Sequence, residues 1–282
     1  MVPDPKHAAD WELAPKLDVA AHVLVKDDSD QVGHLFLGLA LAFNDLKGLV
    51  LFERHLLALG RPGGADWGEN AGQWRGIAVQ IYRWIAGVLH EVMVLIEKHK
   101  MVLRSAEVKA LVALLSPARS TKWTEFTDAA LKTNGTVHIL LLRIRNSTAF
   151  HYDAKSLRNG FKKQFLQDAK DQPTEANRAP QFSAGSDMDG TRFYYADAAA
   201  QQAMSAVGLL FGAPETDRAV IELAADFNDA VAPLLITFIR QRQADADRHE
   251  VRSEPSGPAV QLVRPRARTV SWSGWGAARV PI

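Results

Sequence analysis

The sequence predicts an all-α protein, a multi-helix bundle with long antiparallel helices and one small β-hairpin insertion. Three observations carry that prediction. Apolar residues recur at helical spacing over runs much longer than a strand, as in Leu35, Leu39, Phe43, Leu46, Val50 and Leu57. Helix breakers come in clusters far apart, at Gly60-Arg61-Pro62-Gly63-Gly64, Asn134-Gly135 and Gly212-Ala213-Pro214. A single segment, residues 181–195, sets aromatic and β-favouring residues on either side of the turn Gly185-Ser186-Asp187-Met188-Asp189-Gly190.

Composition sets the outer limits. In 282 residues a hydrophobic share of 47% is ample for a core. Charges nearly cancel, 33 Lys+Arg against 32 Asp+Glu, so any case for a polyanion must rest on local charge. Cysteine is absent, which excludes disulfides, thiolate metal sites and cysteine nucleophiles and fits an intracellular protein. The start, Met1-Val2-Pro3-Asp4-Pro5-Lys6, lacks the basic opening and apolar run of a secretory signal, and a cytoplasmic location is expected. The greasiest stretch, Leu35 to Phe52, is interrupted by Asn44, Asp45 and Lys47, so no membrane span is expected.

The organisation follows in chain order. Residues 1–28, with prolines at 3, 5 and 15, read as an N-terminal arm that docks through Trp11. Residues 29–249 read as one helical domain. Ser29 is the expected N-cap of a first long helix, and a second runs from Glu69 to Lys100, the two forming a helical hairpin. Ser105 caps a short helix over Glu107–Leu115 that Pro117 ends, and another covers Trp123–Lys132. From Thr136 a third major helix carries Val137-His138-Ile139-Leu140-Leu141-Leu142, apolar on nearly all sides and so expected in the centre. A basic amphipathic helix follows at Lys155–Leu166, then a polar loop at 171–180 and the hairpin. Two closing helices span Asp197–Phe211 and Thr216–Arg240, the second with a kink at Pro233. Residues 250–282 read as a basic, poorly ordered tail with five arginines and Trp272 and Trp275, a composition suited to packing on a partner or to nucleic-acid contact.

Candidate chemistry gathers after the third helix, in Arg145-Asn146-Ser147-Thr148-Ala149-Phe150-His151-Tyr152. Arg145 is followed by a polar residue, five residues separate it from His151, and Tyr152 comes next. This pattern, in a helical setting, resembles the HEPN superfamily (higher eukaryotes and prokaryotes nucleotide-binding). Arg83 with His90 and Arg242 with His249 share nearly the same spacing, but each pair falls along one helix face and reads as structural. What distinguishes Arg145 is Asn146, Tyr152 and the apolar run before them.

The resemblance implies a metal-independent endoribonuclease without a cofactor, in which a ribose 2′-OH attacks its adjacent phosphate. Catalytic roles fall to Arg145, His151 and Asn146. His151 titrates near neutrality and moves the proton, Arg145 holds the phosphate, and Asn146 orients either. Substrate binding is expected from Tyr152, Arg143, Lys155, Arg158 and Lys162. Between residues 143 and 163 six cations, Arg143, Arg145, Lys155, Arg158, Lys162 and Lys163, face one acid, Asp153, a net of +5. The same cations also fit the solvated face of an amphipathic helix. The resemblance further implies RNA as partner, a homodimer, an antitoxin or regulatory protein, and a role in phage defence or as a toxin.

Geometry poses a difficulty. Six residues at ~100° each set Arg145 and His151 ~120° apart on an unbroken α-helix. They converge only if Asn146-Ser147 breaks the helix, if the Arg145 side chain folds across, or if a second subunit supplies the partner groups. The competing reading is a non-catalytic helical module for RNA, a nucleotide or a protein, with Arg145 a hydrogen-bonding residue at a helix end and His151 a core histidine. A metal site is not expected. His90-Glu91 lacks a second histidine, and the histidines at 34, 55, 90, 99 and 138 are scattered singly, while Glu222, Asp226 and Asp229 read as a solvated acidic face. No phosphate-binding glycine loop is present.

Overall fold

In a computed structural model the described residues are 19–63, 69–149, 153–167, 182–184, 191–210, 212 and 215–253. They form ten α-helices: α1 (Ala21–Leu24), α2 (Gln31–Ala58), α3 (Glu69–Lys98), α4 (Lys100–Leu103), α5 (Ala106–Ala113), α6 (Pro117–Leu131), α7 (Thr136–Ile144), α8 (Ala154–Lys162), α9 (Tyr194–Leu210) and α10 (Thr216–Ser253). Two π-helical turns, Arg145–Ala149 and Lys163–Gln167, extend α7 and α8. The expected loop at 171–180, Trp11, Phe150, His151, Tyr152 and the tail from 254 onward lie outside the described residues.

Among the described residues the all-α expectation holds, and several boundaries move for identifiable reasons. Asp30 rather than Ser29 caps α2, its carboxylate accepting from the Gly33 N–H at 2.9 Å. Ser29 is drawn instead to Asp27, to whose Oδ1 its own N–H donates at 2.7 Å. The helix ends at Gly60, whose φ of 74° is the left-handed conformation a glycine C-cap provides. Ser105 caps α5 as expected, accepting from the Val108 N–H. Pro117 does stop α5, and it also opens α6, where its missing N–H costs nothing. Pro233 sits inside α10, which runs well past the expected end at Arg240.

The turn of the expected hairpin, residues 185–190, lies outside the described residues; its described flanks form no strand, only one antiparallel bridge, Ser183 to Arg192, with N–H···O distances of 2.8 and 3.0 Å. Tyr194 and Tyr195, expected in a strand, begin α9. The Tyr194 ring is buried in a cluster with Val79, Phe165, Ala198 and Ala200, and its hydroxyl donates to Ser183 Oγ at 3.1 Å. Burial of this side chain against α3 outweighs the β preference of an aromatic pair.

The core is built around α3, where Ile81, Ile85, Leu89, Met93 and Ile96 are fully buried. Helices α2, α6, α7, α9 and α10 all pack on it. Phe36 of α2 stacks on Phe238 of α10 with ring centroids 4.2 Å apart, and Phe126 of α6 meets Phe227 of α10 at 5.0 Å. Residues Gln31–Ala58 and Ala71–Lys98 are each long and apolar enough to cross a membrane; in the fold their apolar faces supply this core.

One buried ion-pair group ties the ends of the bundle. Arg242 of α10 donates from both terminal nitrogens to Asp30, at 2.8 and 2.9 Å, and also lies 2.9 Å from Glu107 of α5. Burial raises the Asp30 pKa, but Arg242 and the backbone N–H groups of Gly33 and Lys26 outweigh it and hold the carboxyl at about 2. Because the folded value is depressed, its stabilisation is complete above the ordinary carboxylate range. It is lost as pH falls from ~4 towards 2.

Arg242→Ala is therefore expected to lower stability by about 3–5 kcal/mol, since it strands a carboxylate in a buried setting. Urea unfolding at neutral pH measures this. Asp30→Asn keeps a capping oxygen but is expected to flatten the fall in stability between about pH 4 and 2, which the same titration at stepped pH reads.

Candidate functional site

The site starts from α7. His138, Leu140, Leu141 and Ile144 are buried, as the apolar run predicts, which anchors the end of the helix in the core. There the chain meets Asn146, Ser147 and Thr148, whose short polar side chains compete for helix backbone groups. Thr148 Oγ1 donates to the Ile144 carbonyl at 3.1 Å, and the helix widens into the π-helical turn Arg145–Ala149. Ser147, Thr148 and Ala149 are buried, while Asn146 is exposed. So Asn146-Ser147 neither breaks nor caps the helix; it changes its winding.

Among the described residues, Arg145 donates to two acceptors. Its Nε donates to Glu91 Oε1 of α3 at 2.8 Å, and Nη1 donates to Asn146 Oδ1 at 3.2 Å. Side-chain exposure is 27% for Arg145 and 54% for Glu91, so the pair is half in water and its strength is screened. Sequence reasoning missed Glu91 as a partner of the motif. The signal was present, because Glu91 is the sole acidic residue between positions 70 and 96, in an otherwise core-forming helix.

Behind this pair the fold joins two histidines that the sequence scatters. His90 and His138 are both buried, with ring centroids 5.5 Å apart in an edge-on arrangement. His90 Nδ1 lies 3.7 Å from Glu91 Oε1. Burial lowers the His90 pKa, and Arg145 and His138 lower it further against the pull of Glu91. His90 is thus neutral at physiological pH, a wall of the site rather than a cation in it. Among the described residues no group of three His, Asp or Glu side chains is close enough to hold a metal ion. The acidic trio on α10 is divided between basic partners: Lys122 reaches Asp226 at 2.7 Å and Asp229 at 3.0 Å, and Arg218 holds Glu222.

A cleft of about 640 Å³ opens beside the π-helical turn, between α7, α8 and α9. Arg143 and Asn146 line it from one side, and Ser156, Asn159 and Lys162 of α8 with Lys163 of the following π-helical turn from the other. Its floor is apolar, with Leu142, Ala203, Ala206 and Val207. Asp153 stands at the rim and caps α8, accepting from the Ser156 N–H at 2.8 Å; the Ser156 hydroxyl and N–H lower its pKa. Of the sequence candidates, Arg143, Asn146 and Lys162 meet in the cleft. Arg145 touches it through Asn146, whereas Lys155 and Arg158 stand exposed on α8 outside the lining.

The cleft owes its shape to Gly160. A Cβ there would lie 2.1 Å from the Ala199 carbonyl oxygen and 3.1 Å from the Ala203 nitrogen, so α8 and α9 are in backbone contact. The obstacle is main chain, which cannot swing aside. Comparison of the chain with protein-family models, curated proteins and solved structures finds no match.

Gly160→Ala is expected to force α8 from α9 and destabilise the fold by about 1–3 kcal/mol despite the better helix propensity of alanine. Urea unfolding compared with an exposed control, Asn159→Ala, checks this; equal midpoints for the two would remove the packing argument.

Proposed function

We propose that the protein is an endoribonuclease similar to HEPN enzymes, working without a metal ion and acting on RNA at the cleft beside Arg145–Ala149. The observation that carries this reading is the meeting of Arg143, Asn146, Lys162 and Lys163 around a cavity of nucleotide size, with Arg145 one hydrogen bond away through Asn146. Such a rim suits a phosphodiester, which needs cationic and N–H donors at short range.

In this reading the ribose 2′-oxygen attacks the adjacent phosphorus and the 5′-oxygen leaves. The products are a 2′,3′-cyclic phosphate and a 5′-hydroxyl. His151, assigned on the family resemblance, accepts the 2′ proton or donates one to the departing oxygen. Arg145 stabilises charge on the phosphoryl oxygens, and Asn146 sets the plane of its guanidinium. Glu91 acts as a positioning residue: its carboxylate holds Arg145 through Nε, and an incoming phosphate competes with a pair already weakened by water. Tyr152 contacts the base or the imidazole. A homodimer places two such motifs together, and a regulatory protein or antitoxin that covers the cleft would silence it. A cytoplasmic location and a role in phage defence or as a toxin are part of the same proposal.

One observation favours a second reading. Arg145 is engaged by Glu91 across helices, as a purely structural ion pair would be, which fits a helical module that binds RNA, a nucleotide or a protein without cleaving it.

Incubation of mixed RNA with the purified protein and a chelator separates the two. Cleavage with 2′,3′-cyclic ends is expected from the unmodified chain, reduced at least a hundredfold in His151→Ala and Arg145→Ala. Glu91→Gln is expected to lower the rate less and to leave folding intact. Equal products from all preparations, or none from any, would remove the enzyme reading and leave the binding module.

A further inference from the structure

Outside the cleft, one surface feature has no part in the core. Phe182 and Phe193 are 59% and 52% exposed, large aromatic rings left in water. They flank the Ser183–Arg192 bridge as the next cross-strand neighbours, so both side chains leave on the same face of the paired segments. Their rings lie nearly parallel, at an interplanar angle of 24° with centroids 6.3 Å apart. Phe193 meets Tyr195 edge-on at 6.1 Å, and Tyr195 meets Phe161 of α8 at 6.4 Å. A continuous aromatic path thus leads from the exposed pair to α8.

Helix α8 connects that path to the cleft. At ~100° per residue it has three faces. Ser156, Asn159 and Gly160 line the cleft, and Leu157 and Phe161 pack towards the aromatic path. Between them lies a ridge of Lys155, Arg158 and Lys162, all three exposed. Lys162 belongs both to this ridge and to the cleft lining. The order across the surface is therefore exposed aromatic pair, basic ridge, cleft.

We infer that this surface is a binding track for single-stranded RNA, in which unpaired bases stack on Phe182 and Phe193 while the phosphates cross Lys155, Arg158 and Lys162 into the cleft. The inference rests on the reading of the cleft as an RNA site and extends it to the kind of RNA taken: a strand whose bases are free to stack. Charge complementarity favours a polyanion over an apolar protein segment, since the ridge carries three cations beside the aromatic faces. Parallel exposed rings favour unpaired bases over a duplex, whose bases already stack on each other. Base-on-aromatic stacking and a basic groove together are the general means of holding single strands without sequence preference.

Binding can be read apart from cleavage with a fluorescent 2′-O-methyl oligonucleotide, which lacks the attacking hydroxyl. Anisotropy would compare a mixed-sequence single strand, its duplex and an abasic strand of equal length. Phe182→Ala/Phe193→Ala is expected to weaken the base-bearing single strand by about tenfold or more and to leave the abasic strand and the duplex unchanged. Lys155→Ala/Arg158→Ala is expected to weaken all three and to flatten the salt dependence. Phe182→Tyr/Phe193→Tyr keeps the rings, is expected to keep the affinity, and reports on stacking should the alanine variant fold poorly. Equal affinity for abasic and base-bearing strands overturns the proposal. So does an unchanged affinity in the alanine variant. RNA cleavage with unaltered KM in the alanine variant rejects the track and spares the nuclease; stacking-dependent binding without any cleavage does the reverse.

Discussion

The constraint on which the rest of the molecule depends is the burial of α3 on almost every side. A helix with buried residues on most of its circumference is stable only at the centre of a bundle, because no single neighbour can cover it. Each buried Ile, Leu or Met side chain contributes roughly 1.5–3 kcal/mol, and Ile81, Ile85, Leu89, Met93 and Ile96 form an unbroken row. Five other helices therefore gather round one axis. The positions of α7 and α9, and with them the walls of the cleft, follow from where each must lie to cover its share of α3.

The candidate site sits where that axis carries its one acidic residue between positions 70 and 96. Glu91 reaches half into water from a helix otherwise given over to packing, and Arg145 meets it from the end of α7. The π-helical turn makes this possible, since its wider winding keeps Ser147, Thr148 and Ala149 buried while Asn146 faces the cleft. Packing and polar chemistry are thereby separated along five residues. The close approach of α8 and α9 at Gly160 closes the opposite wall, and the cations of α8 stand on its outer edge.

The Asp30–Arg242 and Glu91–Arg145 ion pairs differ in kind, and the difference is one of solvent. Asp30 and Arg242 have side chains only 8% and 3% exposed, with bidentate geometry, a second acid in Glu107 and the Phe238 ring 5.1 Å from the guanidinium. Removal of one member leaves a charge in a poor dielectric, so the pair acts as a fixed clamp. Glu91 and Arg145 keep partial access to water, where the same contact is weak and can be exchanged for another anion.

Periodicity and breakers by themselves determined that this chain is all-α, where its long helices run, and that the Arg145 segment follows a buried helix. Those properties are local, since they depend on residues within a turn or two of one another. The sequence also marked Arg143, Asn146 and Lys162, though not that they would meet. What only tertiary structure decided are the relations across distance in the chain: Glu91 on Arg145, 54 residues apart, His90 against His138, Asp30 under Arg242, and Gly160 in contact with Ala199. The conversion of the expected strand at Tyr194 into a helix has the same origin. A side chain with two acceptable local conformations took the one that buried its ring on α3, because packing free energy over a whole ring exceeds the small difference in backbone preference.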